Sequence, residues 1–148
     1  MKDYSKYAGI IPAFYACYDE KGDISPKAVR ELTEYYIQKG VKGLYVGGSS
    51  GECIYQTVAE RKLLLENVMA VAKGKLTIIA HVACNNTRDS MELAAHAESV
   101  GVDAIAAIPP STSTCPTGPL PNTGMTFPPP LPTPTSSSTT FPSWQALP

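Results

Sequence analysis

Short apolar runs and amphipathic stretches alternate along the first part of the sequence. The apolar runs at residues 9–18, 42–48, 76–82 and 104–108 are bounded by turn residues and predict four strands. The proline in the first run is expected near the start of its strand or at an irregularity. Because the strands alternate with helical stretches at about the 30-residue repeat of a βαβ unit, the pattern predicts a parallel sheet.

Three helices are predicted between these strands, each with a capping side chain at its start and a glycine at its end. A serine or threonine oxygen can accept a free backbone N–H in the first turn, and proline lacks an N–H where none is needed. The start signals are Ser25 with Pro26, the capping box of Thr57 and Glu60, and Asn86 or Thr87, and the stop signals are Gly40, Gly74 and Gly101.

The predicted units make up half of an eight-stranded barrel, which typically needs ~250 residues. The chain has 148 residues, and its composition changes sharply along its length. All charged residues lie at or before Asp103, whereas most of the 14 prolines follow it. We therefore predict an α/β fold, the N-terminal half of a (β/α)8 TIM barrel with about four parallel strands and three helices, over residues 1–110. Residues 111–148 are predicted to be a disordered tail rich in Pro, Ser and Thr.

Charge and hydropathy exclude several classes of partner. The net charge is -1 and no basic run is present, so nucleic acid is not an expected partner. No apolar run approaches the roughly 20 residues that span a bilayer, so no membrane association is predicted. The N-terminus lacks the apolar stretch of a signal peptide, and a cytoplasmic location is expected.

Cysteine and histidine are the residues most able to bind a metal. Cys17, Cys53, Cys84 and Cys115 form no CxxC pair and have no metal-like spacing with the histidines. We expect reduced, mostly buried thiols, with disulfides or a zinc site as the alternative, and we predict no metal and no cofactor. His81, inside the third strand, is expected to be a packed or hydrogen-bonded core residue, with a position facing the barrel centre as the alternative.

The loop after the second predicted strand has the sequence Gly47-Gly48-Ser49-Ser50-Gly51-Glu52. Its glycines let the backbone approach a ligand closely, and two adjacent hydroxyls with their amides form a donor cluster suited to a carboxylate. The carboxyl end of a barrel strand is also where this architecture places its chemistry. A plain Gly/Ser turn is the alternative interpretation.

Three segments carry a resemblance to a known family. Residues 45–52 (Tyr-Val-Gly-Gly-Ser-Ser-Gly-Glu), 79–82 (Ile-Ala-His-Val) and 101–104 (Gly-Val-Asp-Ala) resemble the N-acetylneuraminate lyase branch of the Schiff-base pyruvate aldolases, which also include dihydrodipicolinate synthase. The resemblance covers about residues 6–110. It implies reversible aldol cleavage of N-acetylneuraminate (sialic acid) to N-acetylmannosamine and pyruvate. Sialic acid and pyruvate are the implied small-molecule partners, and the full-length protein of the family is a homotetramer. Another aldolase of the family, such as dihydrodipicolinate synthase, is the alternative.

The resemblance also implies roles for individual residues. In the family, the hydroxyls of this loop hold the carboxylate of the pyruvate portion, which corresponds here to Ser49 and Ser50, with Gly48 beside them. The second hydroxyl also contacts the catalytic tyrosine, so Ser50 is the expected proton-relay partner. Many members have Thr-Pro-Phe where this chain has Ala-Cys-Tyr at residues 16–18, which puts substrate contacts from that segment in doubt.

The family mechanism also needs groups from later strands. A lysine near the end of the sixth strand forms the imine, and a tyrosine in a Tyr-Asn-Ile-Pro context at the end of the fifth strand moves protons. No Lys or Tyr follows Asp103, and Lys42 and Lys75 are expected to be solvated charges at the other end of the barrel. The chain as written is therefore predicted to be inactive. A non-catalytic carboxylate-binding module and a fragment that interacts through its tail are the alternatives.

We predict that a reading-frame shift just after Pro110 produces the tail. Suitable codons for residues 122–128, translated in the frame that starts one base earlier, give Tyr-Trp-Asn-Asp-Ile-Ser. Suitable codons for residues 136–142, shifted in the same way, give Ile-Ile-Tyr-Asn-Ile-Pro, the missing tyrosine motif. The competing interpretation is a natural linker, in which the proline-rich residues 129–132 could serve as a polyproline ligand.

Overall fold

The computed structural model describes residues 5–108, in which three helices alternate with three parallel strands. The strands pair in the order β1-β2-β3, so each helix connects two neighbouring strands or leads into the first. The predicted α/β class is confirmed, while the predicted tail lies outside the described residues. The elements are a 3-10 turn (Ser5–Tyr7), α1 (Pro26–Gln38), β1 (Gly43–Val46), a second 3-10 turn (Ser49–Gly51), α2 (Val58–Ala72), β2 (Thr77–His81), α3 (Thr87–Val100) and β3 (Ala104–Ala106).

The helices begin at the predicted capping residues. The side chain of Ser25 accepts a backbone N–H in the first turn of α1. In the capping box of α2, the Thr57 N–H donates to Glu60 Oε2 at 2.7 Å, and the Glu60 N–H donates to Thr57 Oγ1 at 3.2 Å. Of the two candidates for α3, the cap is Asn86 rather than Thr87. The helix starts are therefore encoded locally.

The predicted strand at residues 9–18 is not a strand, so the expectation of four strands is wrong for the described residues. This segment runs beside β1 and joins it at an isolated parallel bridge. The Phe14 N–H donates to the Tyr45 carbonyl at 2.8 Å, and the Tyr45 N–H donates to the Pro12 carbonyl at 2.9 Å. Two residues earlier in this ladder, Pro12 has no N–H to donate to Gly43, and the next hydrogen bond, from the Lys42 N–H to the Ile10 carbonyl at 2.9 Å, is one residue out of this register. The irregularity expected at the proline is confirmed.

The hydrophobic core lies between the sheet and the helices. Helix α2 contacts both α1 and α3, and Arg30 Nε of α1 donates to Asn67 Oδ1 of α2 at 2.8 Å. Alternate residues of β1 and β2 point into this core, so Tyr45 and His81 lie on the other face of the sheet. The buried core includes Phe14, Val29, Leu44, Val46, Leu64, Leu65, Val68, Ile78, Ala80, Leu93 and Ala97.

The first 3-10 turn closes the amino-terminal end of the sheet. The Tyr7 hydroxyl donates to the Asp103 carbonyl at 3.1 Å, and Thr77 Oγ1 donates to the Lys6 carbonyl at 3.1 Å. The Asp103 carboxylate accepts the Ile78 N–H at 2.9 Å. These contacts join the first described residues to the starts of β2 and β3. Within residues 5–108, no helix combines the length and apolarity needed to cross a bilayer.

Candidate functional site

The loop predicted to bind a carboxylate lies at the carboxyl end of β1 and forms a tight turn. The Gly51 N–H donates to the Gly48 carbonyl at 3.0 Å, and the Glu52 N–H donates to the Ser49 carbonyl at 3.0 Å. Ser49 and Ser50 are exposed, and neither hydroxyl forms a side-chain hydrogen bond to another residue of the described chain. The turn therefore presents two adjacent hydroxyls to solvent.

Two glycines bring this turn down onto the sheet. Gly47 has a φ of +73°, which places it in the left-handed region that favours glycine. Gly48 is buried, and a Cβ there would lie 2.6 Å from Cε1 of Tyr45. Gly48 thus packs its backbone against the aromatic ring, while the following serines remain accessible.

Arg61 joins the ends of β1 and β2 beneath the loop. Only 5% of the residue is exposed. Its Nη2 donates to the His81 carbonyl at 2.6 Å and to the Gly47 carbonyl at 3.5 Å, while Nη1 donates to the Ala83 carbonyl at 3.0 Å. Nη1 also lies 3.0 Å from the Cys84 sulfur. The guanidinium therefore holds two strand ends through backbone oxygens.

His81 is buried and hydrogen-bonded, as expected. Its Nδ1 lies 2.9 Å from the Gly47 carbonyl oxygen. A carbonyl oxygen only accepts, so Nδ1 carries the proton and donates. Burial and, next, the nearby charge of Arg61 lower the pKa of His81, against the opposing effect of the Gly47 hydrogen bond. The ring shares the sheet face opposite the helices with Tyr45, at 6.2 Å between centroids, and its buried Nε2 has no partner in the described chain.

The sequence motifs do not include Arg61, although the apolar pattern of α2 carries a signal for it. Arg61 precedes Leu64, Leu65 and Val68 by three, four and seven residues, which is the spacing of one helix face. All three of those side chains are buried in the core. A charged residue on the apolar face of a helix needs polar partners in the interior, and here the strand ends supply them.

The segment at residues 16–18, where the sequence departs from the family pattern, also reaches the loop. Gln56 Nε2 donates to the Gly51 carbonyl at 3.0 Å and to the Tyr18 hydroxyl at 3.2 Å. Tyr18 is thus linked to the last residue of the turn, Gly51, through Gln56.

The remaining candidate side chains lie apart from the two serines or form no cluster. Lys42 and Lys75 are exposed and precede β1 and β2, as predicted. Cys17, Cys53 and Cys84 are free thiols, but they are half-buried and not mostly buried as expected. Cys115 lies outside the described residues. Within residues 5–108, no group of three or more His, Cys, Asp or Glu is arranged to hold a metal ion.

Comparison with known proteins gives closely similar relatives. The sequence matches the dihydrodipicolinate synthetase family over residues 6–115. It is 71% identical over 110 residues to an N-acetylneuraminate lyase of Mediterraneibacter gnavus, covering 74% of this chain and 35% of that lyase. It is 42% identical over 102 residues to an N-acetylneuraminate lyase of Escherichia coli, covering 69% of this chain and 34% of that lyase.

The structure superposes on a catalytic lysine mutant of Ruminococcus gnavus sialic acid aldolase with a TM-score of 0.75 and 68% sequence identity. The match covers 78% of this chain and 38% of that structure. The three strands and three helices correspond to the N-terminal part of a TIM-barrel aldolase, which confirms the predicted fold for the described residues. The chain spans about 35% of the length of the curated relatives it matches. Because the family model matches residues 6–115, which is most of the sequence, and the fold is shared with a sialic acid aldolase, the chain belongs to the dihydrodipicolinate synthetase family.

Proposed function

We propose that this chain forms the carboxylate-binding part of an N-acetylneuraminate lyase site. That reaction reversibly cleaves N-acetylneuraminate to N-acetylmannosamine and pyruvate. Ser49 and Ser50 hold the carboxylate of the pyruvate portion, with the Gly48 backbone beside them. In a complete lyase Ser50 would be the proton-relay partner of the catalytic tyrosine. The observation that carries the proposal is a pair of exposed, adjacent hydroxyls at the carboxyl end of β1, in a chain 71% identical to a lyase of that name.

The chemistry of the turn suits a carboxylate. A hydroxyl that donates to an ionised oxygen forms a charge-assisted hydrogen bond, which is stronger than a neutral one. Neither serine hydroxyl is committed to another side chain or carbonyl of the described residues. Binding therefore breaks no hydrogen bond within that part of the protein.

Carbon–carbon bond cleavage needs two groups that the sequence does not provide in the required context. An imine requires a lysine amine at the substrate carbonyl, and proton transfer requires the tyrosine. No Lys or Tyr follows Asp103, and Lys42 and Lys75 are exposed before the strands begin. We infer that the chain as written binds the carboxylate and does not form the imine.

Borohydride trapping tests the inferred lack of imine chemistry. The purified chain is incubated with pyruvate and borohydride and analysed by mass spectrometry, with the Mediterraneibacter gnavus lyase treated in parallel. We expect a stable adduct on the lyase and none on this chain. A stable mass gain on any of its lysines would refute the inferred inactivity.

Titration with pyruvate tests the binding site. Amide signals of Gly48, Ser49 and Ser50 are expected to shift in the millimolar range, because weak hydrogen bonds to a small anion give weak affinity. Combined S49A and S50A substitutions should abolish these shifts. Ser99→Ala is the matched control, since Ser99 is an exposed serine on α3. Methyl pyruvate is the uncharged methyl ester of the same keto acid and should leave the loop signals unchanged. Unshifted loop signals with pyruvate itself would reject the site.

We also propose that the reading frame shifts just after Pro110, which accounts for the loss of the lyase-like sequence. Sequencing the DNA across the codons for Pro109 and Pro110 tests this directly. We expect an added or missing base there, and translation in the corrected frame should give a Tyr-Asn-Ile-Pro motif downstream. An intact frame would instead identify residues 111–148 as a natural extension.

A further inference from the structure

We infer that Arg61 is the positioning residue of the Ser49–Ser50 turn, because it fastens the peptide that begins the turn to the end of β2. The inference rests on the proposed carboxylate site for its functional consequence. Its structural part, the control of loop geometry by Arg61, can be measured without any ligand.

The first observation is the pattern of acceptors around the guanidinium. Arg61 donates to the carbonyls of Gly47, His81 and Ala83, at 3.5, 2.6 and 3.0 Å. These oxygens belong to the exits of two neighbouring parallel strands. A planar guanidinium has five N–H donors in a fixed fork, so it can fix the relative position of several oxygens at once. A lysine in its place keeps the charge but not the fork.

The second observation is that the base of Arg61 is itself anchored. It lies in the first turn of α2, directly after the Thr57 and Glu60 capping box. The backbone N–H of Arg61 donates to the Thr57 carbonyl at 3.0 Å. The side chain therefore extends from a fixed helix start to the strand ends, and the turn that follows Gly47 takes its position from α2.

The third observation is the second donor on the same oxygen. His81 Nδ1 lies 2.9 Å from the Gly47 carbonyl oxygen, and Arg61 Nη2 lies 3.5 Å from the same oxygen. The two nitrogens are 3.4 Å apart. Both nitrogens carry protons, so each donates to the oxygen and not to the other. Two donors on one carbonyl restrain Gly47, the residue whose φ of +73° starts the turn.

The fourth observation is the uncompensated charge. Arg61 is 5% exposed, and among residues 5–108 no carboxylate lies within ion-pair distance of it. Within the described residues, three carbonyl dipoles and the Cys84 sulfur solvate this cation. An anion held at the serines would add negative charge at the same end of the sheet, so the group that positions the turn also favours its ligand electrostatically.

The experiment uses the full 148-residue chain with Arg61→Lys and Arg61→Met. Two controls share helix α2. Lys62→Met removes a neighbouring charge that is paired with Glu92 at the surface. Asn67→Ala destabilises the helix away from the loop, because Asn67 Nδ2 donates to a helix carbonyl and its Oδ1 accepts from α1. Amide hydrogen exchange of the loop, the titration of the His81 ring by NMR, and the pyruvate Kd are measured for each protein.

We expect both Arg61 variants to exchange the loop amides at least about tenfold faster than Asn67→Ala, after correction for global stability, since methionine has no donor and lysine lacks the fork that reaches the Gly47, His81 and Ala83 carbonyls together. Arg61→Met should also raise the pKa of His81, and Arg61→Lys should weaken pyruvate binding by about tenfold. Lys62→Met should match the wild type in all three measurements.

Equal loop exchange in Arg61→Lys and Asn67→Ala would overturn the inference, because the effect of Arg61 would then be global. If Arg61→Met does not fold, Arg61→Lys decides the question. Failure of Arg61→Lys to fold while Asn67→Ala folds would also overturn it, since Arg61 would then be a scaffold residue. If the wild type does not bind pyruvate, the proposed function fails, and loop exchange with the His81 titration still tests the positioning role.

Discussion

His81 should make the stability of this protein depend on pH between pH 6.5 and 5.5. The perturbation is a pH change of one unit, applied to the wild type and to His81→Asn. An asparagine amide can donate to the Gly47 carbonyl in place of Nδ1, but it does not titrate. The difference between the two proteins isolates His81, because both retain His96 and every carboxylate.

The sign follows from the lowered pKa of His81 in the folded chain. Below the ordinary value of 6.5, the unfolded chain binds a proton that the folded chain does not take up until its lower pKa is reached. Stability is therefore full above pH 6.5 and falls as the pH decreases towards the folded pKa. If the folded histidine stays neutral, the loss from pH 6.5 to 5.5 is about 1 kcal/mol.

Urea denaturation at pH 7.5, 6.5 and 5.5 measures the free energy of unfolding of both proteins. Arg61 and Tyr45 lie against the ring, and Cys84 contacts Arg61. None of these groups changes charge in this range, because arginine is always protonated in proteins and burial raises the pKa of Tyr45 and Cys84. We expect the wild type to lose stability relative to His81→Asn between pH 6.5 and 5.5, by no more than about 1 kcal/mol. A constant difference, or a wild type that gains stability on acidification, would refute the assignment of a buried neutral imidazole.

Three further predictions concern stability and thiol chemistry. Thr57→Ala should cost about 1 kcal/mol by removing the capping box, whereas the exposed Thr87→Ala should cost much less in the same urea titration. Leu64→Ala should cost about 2–5 kcal/mol because Leu64 is 1% exposed, and Leu63→Ala, at 38% exposure, is the control; equal losses would contradict the core assignment. Burial raises the pKa of Cys17 above 9.0, so iodoacetamide should alkylate it more slowly at pH 8 than it alkylates free cysteine, and equal rates would argue against a shielded thiol.

The sequence predicts the helices and three of the strands well because their signals are local. Side-chain caps such as Thr57 act within one turn, and the apolar run of β2 needs no partner to be recognised. The observed strand boundaries differ from the predicted ones by up to two residues, because strand ends are set by pairing with a neighbour. The segment around Pro12 failed as a strand for the same reason, since only the register against β1 shows which hydrogen bond its missing N–H removes.

The candidate site divides in the same way. The Gly48, Ser49 and Ser50 cluster is a contiguous motif, so its location after β1 could be predicted from the chain alone. The contacts of Arg61 and His81 could not, because they join residues 14, 20 and 34 positions apart at the ends of two strands. Asp103 is a similar case, since its motif was visible but its hydrogen bond to the Ile78 N–H depends on how β2 and β3 align.

The contact between Tyr7 and Asp103 has a consequence for synthesis on the ribosome. The two residues are 96 positions apart, and the turn at the start of the chain finds this acceptor only when the far end of the described region has been made. Long-range contacts of this kind form late, after the cost of closing the intervening chain has been met. Tyr7 therefore leaves the exit tunnel well before its acceptor, and a nascent chain that ends before Asp103 cannot form this hydrogen bond.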